Sequence, residues 1–140
     1  MINLKDKKFA VVSLGCDKNR VDTERMLGNI SKFSKITDDA TDAEVIIINT
    51  CAFLEASRKE AIETILEFNE FREYGKLEKL VVTGCLPQRF IGEIFNELIE
   101  VDVFLGFLDY DLLENALLES YTTGERVNYV GRKNKVEEKS

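Results

Sequence analysis

Val45-Ile46-Ile47-Ile48-Asn49-Thr50-Cys51 is an unbroken apolar run that ends on two polar residues and a thiol. A short continuous run of this kind, alternating along the chain with helical patterns, reads as a buried strand of a parallel α/β sheet. The same device occurs twice more. Val11-Val12-Ser13-Leu14-Gly15-Cys16 breaks at a glycine and delivers a cysteine to the polar turn Asp17-Lys18-Asn19-Arg20-Val21-Asp22, and Leu80-Val81-Val82-Thr83-Gly84-Cys85 ends likewise. All three cysteines of the chain are therefore expected at strand ends, 35 and 34 positions apart. In a parallel sheet those ends share one edge, and open α/β sheets hold their ligands in the crevice outside it.

Working outward, residues 8–14 form the first expected strand, and a helix follows to about Phe33 with Met26, Leu27, Ile30 and Phe33 near helical spacing. Asn19 or Asp22 is placed to cap it. Residues 34–38 read as a short edge strand before an acidic loop at 38–42. A long helix is expected from Phe53 to Tyr74, stopped by Gly75. After the strand at 80–83, Pro87 precedes a helix over 88–98; residues 101–105 form the last strand and 109–119 the last helix. The outcome is an α/β, flavodoxin-like or Rossmann-like three-layer sandwich with a five-stranded, mostly parallel sheet and four helices. The order 2-1-3-4-5 sets the first, third and fourth strands side by side. Residues 1–121 read as the domain and 122–140 as a polar linker, because the core pattern is lost after Tyr121.

The 140 residues suit one domain, and 44% hydrophobic residues suffice for a core. No apolar run approaches the roughly 20 residues of a membrane span, and the first eight residues lack a secretory apolar core, so the chain reads as cytoplasmic. A net charge of −7 argues against broad phosphate neutralisation and suits a basic protein partner. Each helix has one ordinary apolar stripe and none to spare, so a monomer is expected. Three cysteines in such a chain point to metal binding or catalysis rather than disulfides, and the lack of histidine removes the commonest alternative ligand for zinc or non-haem iron.

A metal site needs thiolates. Each cysteine precedes a turn into a helix, whose first amides favour anions, and Lys18, Arg20, Arg58 and Arg89 lie close in sequence. Gly15 and Gly84 would let backbone approach a bulky ligand. Spacing permits a three-thiolate 4Fe-4S site with one iron open, and equally a zinc-binding interaction module with water or a carboxylate as fourth ligand. A signalling receiver would need paired acids after the first strand, and a flavin electron carrier a hydroxyl- and glycine-rich phosphate loop; Gly15-Cys16-Asp17-Lys18-Asn19 supplies neither.

Ser13-Leu14-Gly15-Cys16 with Lys18-Asn19, Val21-Asp22 and Glu24, then Asn49-Thr50-Cys51, then Thr83-Gly84-Cys85-Leu86 with Gln88-Arg89, resemble the N-terminal domain of the methylthiotransferases, a branch of the radical S-adenosylmethionine enzymes. The resemblance covers roughly residues 8–106. It implies that Cys16, Cys51 and Cys85 are the ligands of an auxiliary 4Fe-4S cluster with one open iron that carries or presents the inserted sulfur, with Gly15, Asn19, Asp22, Asn49, Thr50, Gly84 and Arg89 around them. It also implies a second 4Fe-4S cluster, held by a CxxxCxxC motif in another domain, that cleaves S-adenosylmethionine. No CxxxCxxC occurs in these 140 residues, so the expectation is a domain that holds a cluster and is inactive alone.

The first motif is more similar to the branch that modifies an aspartate of a small-subunit ribosomal protein than to the tRNA-modifying branch, which usually reads GCQMN there. Three positions depart from the pattern. Asp17 stands for the usual proline, Ala52 for the usual glycine, and Pro87 for a common alanine; none removes a ligand.

Overall fold

A computed structural model describes residues 4–14, 17–50, 55–106 and 112–130, with the backbone alone for 17–23 and 55–58. Six strands make one sheet: β1 (Lys8–Ser13), β2 (Lys35–Ile36), β3 (Val45–Thr50), β4 (Lys79–Gly84), β5 (Val103–Phe104) and β6 (Val127–Asn128), in the order β2-β1-β3-β4-β5-β6. Every pairing is parallel. The helices are α1 (Asp17–Ile30), α2 (Glu55–Asn69), α3 (Phe71–Tyr74), α4 (Cys85–Glu97) and α5 (Leu113–Thr123), with single 3-10 turns at Leu4–Asp6 and Ala40–Asp42.

Why the strands read as continuous apolar runs is visible in the layers. Alternate residues face opposite sides, and both sides are covered. Ala10, Ile46, Ile48, Leu80, Val82 and Phe104 pack against Ala61 and Ile65 of α2 and Leu86 and Ile94 of α4. Phe9, Val45, Ile47, Val81 and Val103 pack against Met26 and Ile30 of α1 and Leu113, Ala116 and Leu117 of α5. All six residues of β3 are buried, as expected for the central strand of a three-layer sandwich.

The expected fold is thus observed, with one strand more. The sixth strand falls in the stretch read as linker. Val127 pairs with Val103, Tyr129 N–H donates to Phe104 O at 2.9 Å, and both Val127 and Tyr129 are buried. Arg126 fastens the segment: its guanidinium donates to the carbonyls of Val101, Phe95 and Leu98 at 3.0, 2.6 and 2.9 Å and lies 4.2 Å from the Phe95 ring centre. The packed unit therefore runs to at least Val130, past the expected boundary at residue 121; residues 131–140 lie outside those described.

Four further boundaries move for local reasons. The helix expected over residues 53–74 breaks at Glu70 into α2 and α3, which lets Phe68 and Phe71 both reach the core with ring centres 5.7 Å apart. The last helix lies a turn later than expected, ending at Gly124 in the left-handed region with φ 72°. Because α1 starts at Asp17, Asn19 falls in its first turn and Asp22 in its second, so neither occupies the capping position. Finally, α4 begins at Cys85 rather than at residue 88, and Pro87 sits inside its first turn, where the missing N–H costs nothing. A kink at Phe90 (φ −123°, ψ 18°) separates that first stretch from the rest of α4.

Candidate functional site

The carboxyl ends of β1, β3 and β4 are held level by the ladder. Ser13 is in register with Asn49, Asn49 with Thr83, and Thr50 with Gly84. Leu14 N–H continues the pairing by donating to Asn49 O at 2.8 Å. The sheet order also reverses here, since β1 and β3 are neighbours whose following helices, α1 and α2, cover opposite faces. This is the topological switch point at which open α/β sheets leave a crevice.

Asn49, Thr50, Thr83 and Gly84 are brought together and fully buried below that edge. Gly84 has φ 102° and ψ −154°, a conformation open to glycine. A Cβ there would meet Thr50 O at 2.4 Å, Asn49 Oδ1 at 2.7 Å and Thr50 N at 2.9 Å, so β3 and β4 close on each other only because this side chain is missing. The hydroxyl of Thr50 donates to Thr83 O at 2.8 Å and accepts from Leu86 N–H at 3.2 Å. The hydroxyl of Thr83 in turn donates to Gly106 O at 3.3 Å, tying the end of β4 to the chain beyond β5.

Cys85, half-buried, is the first residue of α4. Gly15, Cys16 and Cys51 lie outside the described residues, as do the side chains of Lys18, Asn19, Arg20, Asp22 and Arg58. Among the described residues no group of three His, Cys, Asp or Glu side chains could hold a metal ion. Arg89 is exposed, its guanidinium carbon 5.6 Å from the Phe90 ring centre.

The opposite edge of the sheet carries a different chemistry. Glu78 Oε1 is 2.8 Å from Lys7 Nζ and accepts from Tyr121 OH at 2.7 Å, while Lys7 and Lys79 lie 5.5 and 5.2 Å from the Tyr121 ring centre. Arg72 pairs with Asp102 and donates to Glu78 O and Glu100 O, both at 2.9 Å; Asp42 joins Lys8 at 2.7 Å and Lys76 at 3.0 Å. Burial raises Glu78, but Lys7 and the Tyr121 hydroxyl outweigh it and hold the carboxyl below the usual range. Burial, then Glu78, pushes the Tyr121 phenol far above its ordinary value. Hydrogen bonds from Lys8 and Lys76 lower Asp42, and Asp42 raises Lys8. These groups brace the scaffold away from the cysteine edge.

Sequence reasoning placed Thr50 near the thiols but missed its two hydrogen bonds, and it missed Arg126 altogether. The alternation Val127-Asn128-Tyr129-Val130 was the available signal for the sixth strand. No described helix is long and apolar enough to cross a membrane.

Residues 8–106 match the family described as "Uncharacterized protein family UPF0004". The chain is 50% identical to the ribosomal protein uS12 methylthiotransferase RimO of Clostridium tetani, over 92% of this chain and 29% of the relative. It is 43% identical to that of Geobacter sulfurreducens, over the full chain and 31% of the relative, and 43% identical to that of Clostridium acetobutylicum, over 87% and 27%. The chain thus spans about three tenths of the length of these relatives. Their names agree with the resemblance carried by the three cysteine motifs and with the ribosomal-protein branch.

Proposed function

Because the chain belongs to the family UPF0004, we propose that it is the domain of a methylthiotransferase that holds one auxiliary 4Fe-4S cluster on Cys16, Cys51 and Cys85, with one iron left open. The observation that carries this reading is the register that levels Ser13, Asn49–Thr50 and Thr83–Gly84 at one edge, directly before the three thiols. The described part of the site fits such a group. Cys85 is half-buried in the first turn of a helix, Gly84 presents backbone with no Cβ beside it, and thiolate is the donor that iron–sulfur clusters take.

When bound, such a cluster supplies an iron at which a small sulfur species can be presented. The chain's own part is positional. Gly84 lets two strand ends close, the Thr50 hydroxyl locks them, and the Thr83 hydroxyl ties β4 to the chain beyond β5. We read the whole enzyme as using S-adenosylmethionine and a second 4Fe-4S cluster, bound outside these 140 residues, to insert sulfur and a methyl group into an aspartate of uS12. The names of the relatives support that target, and the charge of −7 suits a basic ribosomal protein. On this reading the chain is a cytoplasmic monomer that does not hold nucleic acid strongly and does not turn over alone.

Anaerobic reconstitution with iron and sulfide tests it. The expected product is a brown protein with about four irons and a matching sulfide content, lost in Cys16→Ala, Cys51→Ala and Cys85→Ala alike. Colourless uptake of one zinc in preference would establish the interaction-module alternative instead. Metal uptake indifferent to all three changes would sink both.

A further inference from the structure

We propose that Thr50 is a positioning residue for Cys85: from the strand that leads into Cys51, its hydroxyl caps the helix that begins with Cys85 and so holds two thiol-bearing strand ends in one register. The residue at the capping position of α4 is Gly84, which has no side chain to do this, and no side-chain cap bond is made from it. Of the first three amides of the helix, one belongs to Cys85, the second is donated by Leu86 to Thr50 Oγ at 3.2 Å, and Pro87 has none. Leu86 is fully buried, so water does not substitute for that acceptor. The same hydroxyl spends its own proton on Thr83 O at 2.8 Å, one residue before Gly84.

Thr50 therefore grips the β4–α4 junction on both sides of the Gly84 turn, at Thr83 in β4 and at Leu86 in α4. The grip is cross-strand, which distinguishes it from an ordinary cap: it fixes where Cys85 sits relative to β3 rather than only how the helix starts. A neighbouring strand supplies the cap because the turn itself has no room for a Cβ, as the 2.4 Å approach to Thr50 O shows. What the fixed position is for, joint ligation by Cys51 and Cys85, rests on the cluster reading; the grip itself does not.

The test uses the 140-residue chain, reduced and without metal, carrying Thr50→Val, Thr50→Ala or Thr50→Ser. Amide hydrogen exchange at Leu86 is expected to accelerate about tenfold or more in the Val and Ala variants, with Ile47 and Val81 as controls for global opening. Alkylation of Cys85 by iodoacetamide, with peptide mapping to identify the Cys85 product, reads how firmly that thiol is held. Its rate should rise about fivefold or more in both variants, since release of the helix start opens the half-buried thiol to the reagent. Thr50→Ser, which keeps the hydroxyl, should restore both readings. Should Thr50→Val not fold, Thr50→Ala, which leaves room for a water, gives the same comparison. Unchanged exchange at Leu86, unchanged alkylation of Cys85, or a Ser variant that behaves like Val would each overturn the proposal. Iron uptake by the parent chain is measured in parallel; its failure would refute the cluster reading and leave the Thr50 result to stand or fall by itself.

Discussion

Gly84 concentrates the local physics of the thiol edge in one residue. Its φ of 102° and the 2.4 Å separation between a hypothetical Cβ and Thr50 O leave an alanine no way to fit without spreading β3 from β4. The backbone conformation alone costs a side-chain-bearing residue about 1–3 kcal/mol. Gly84→Ala should therefore lose about 3 kcal/mol or more once the displaced ladder is included, read as a lower urea midpoint. A midpoint near that of the parent would show that the two strand ends separate freely, contrary to the packing described. Such residues were only half legible. The three cysteines, two of them with a glycine beside them, stand out in the sequence because each follows an apolar run. The partners of Thr50 do not, because Thr83 and Leu86 lie 33 and 36 positions away and a hydroxyl carries no sign of its acceptor.

At the scale of elements, the order of the first five strands was readable because each central strand is buried on both faces and shows it as an unbroken apolar run. The sixth was not, since a two-residue edge strand has no run to show. It is held largely by Arg126, whose three carbonyl contacts and stacking on Phe95 join β6 to the end of α4. A cation near the last carbonyls of a helix also complements its dipole. Arg126→Met keeps the apolar stem and removes the donors; it should cost about 2 kcal/mol, the scale of hydrogen bonds to charged groups. In thermal unfolding that corresponds to roughly 6–8 °C for a chain of this size. Removing residues 124–140 should cost more, because Val127 and Tyr129 lose their burial as well. Were the truncated chain to melt with the parent, β6 would be an accessory and not part of the folding unit. Pro87 misled for a related reason: proline usually marks the outside of a helix, but in the first turn it is equally at home.

For the molecule as a whole, the two edges of the sheet differ in chemistry, with Cys85 and the buried hydroxyls of Thr50 and Thr83 at one and ion pairs at the other. The ion-pair edge sets the dependence of stability on pH. Asp42 and Glu78 titrate below their ordinary values when folded, so the stabilisation they give is complete above the unfolded-state range near 4 and is lost as pH falls through the lower folded values. Tyr121 titrates above its ordinary value, so its contribution is complete below about 10 and is lost as pH rises beyond it. Tyr121→Phe should lower stability near neutrality by about 1 kcal/mol, allowing for the 41% exposure of the Glu78 side chain, and flatten the alkaline limb. Urea midpoints from pH 3 to pH 11 for the parent and the variant check both limbs, and an alkaline limb of unchanged steepness would exclude the phenol as its source.

Since β6 runs parallel to its neighbours, the chain leaves Val130 heading toward the edge where β1, β3 and β4 end. At about 4.8 Å between adjacent strands, that exit lies roughly 14 Å along the sheet from β3 and roughly 19 Å from β1. Val130, the last described residue, thus stands on the same side of the sheet as the ends of β1, β3 and β4.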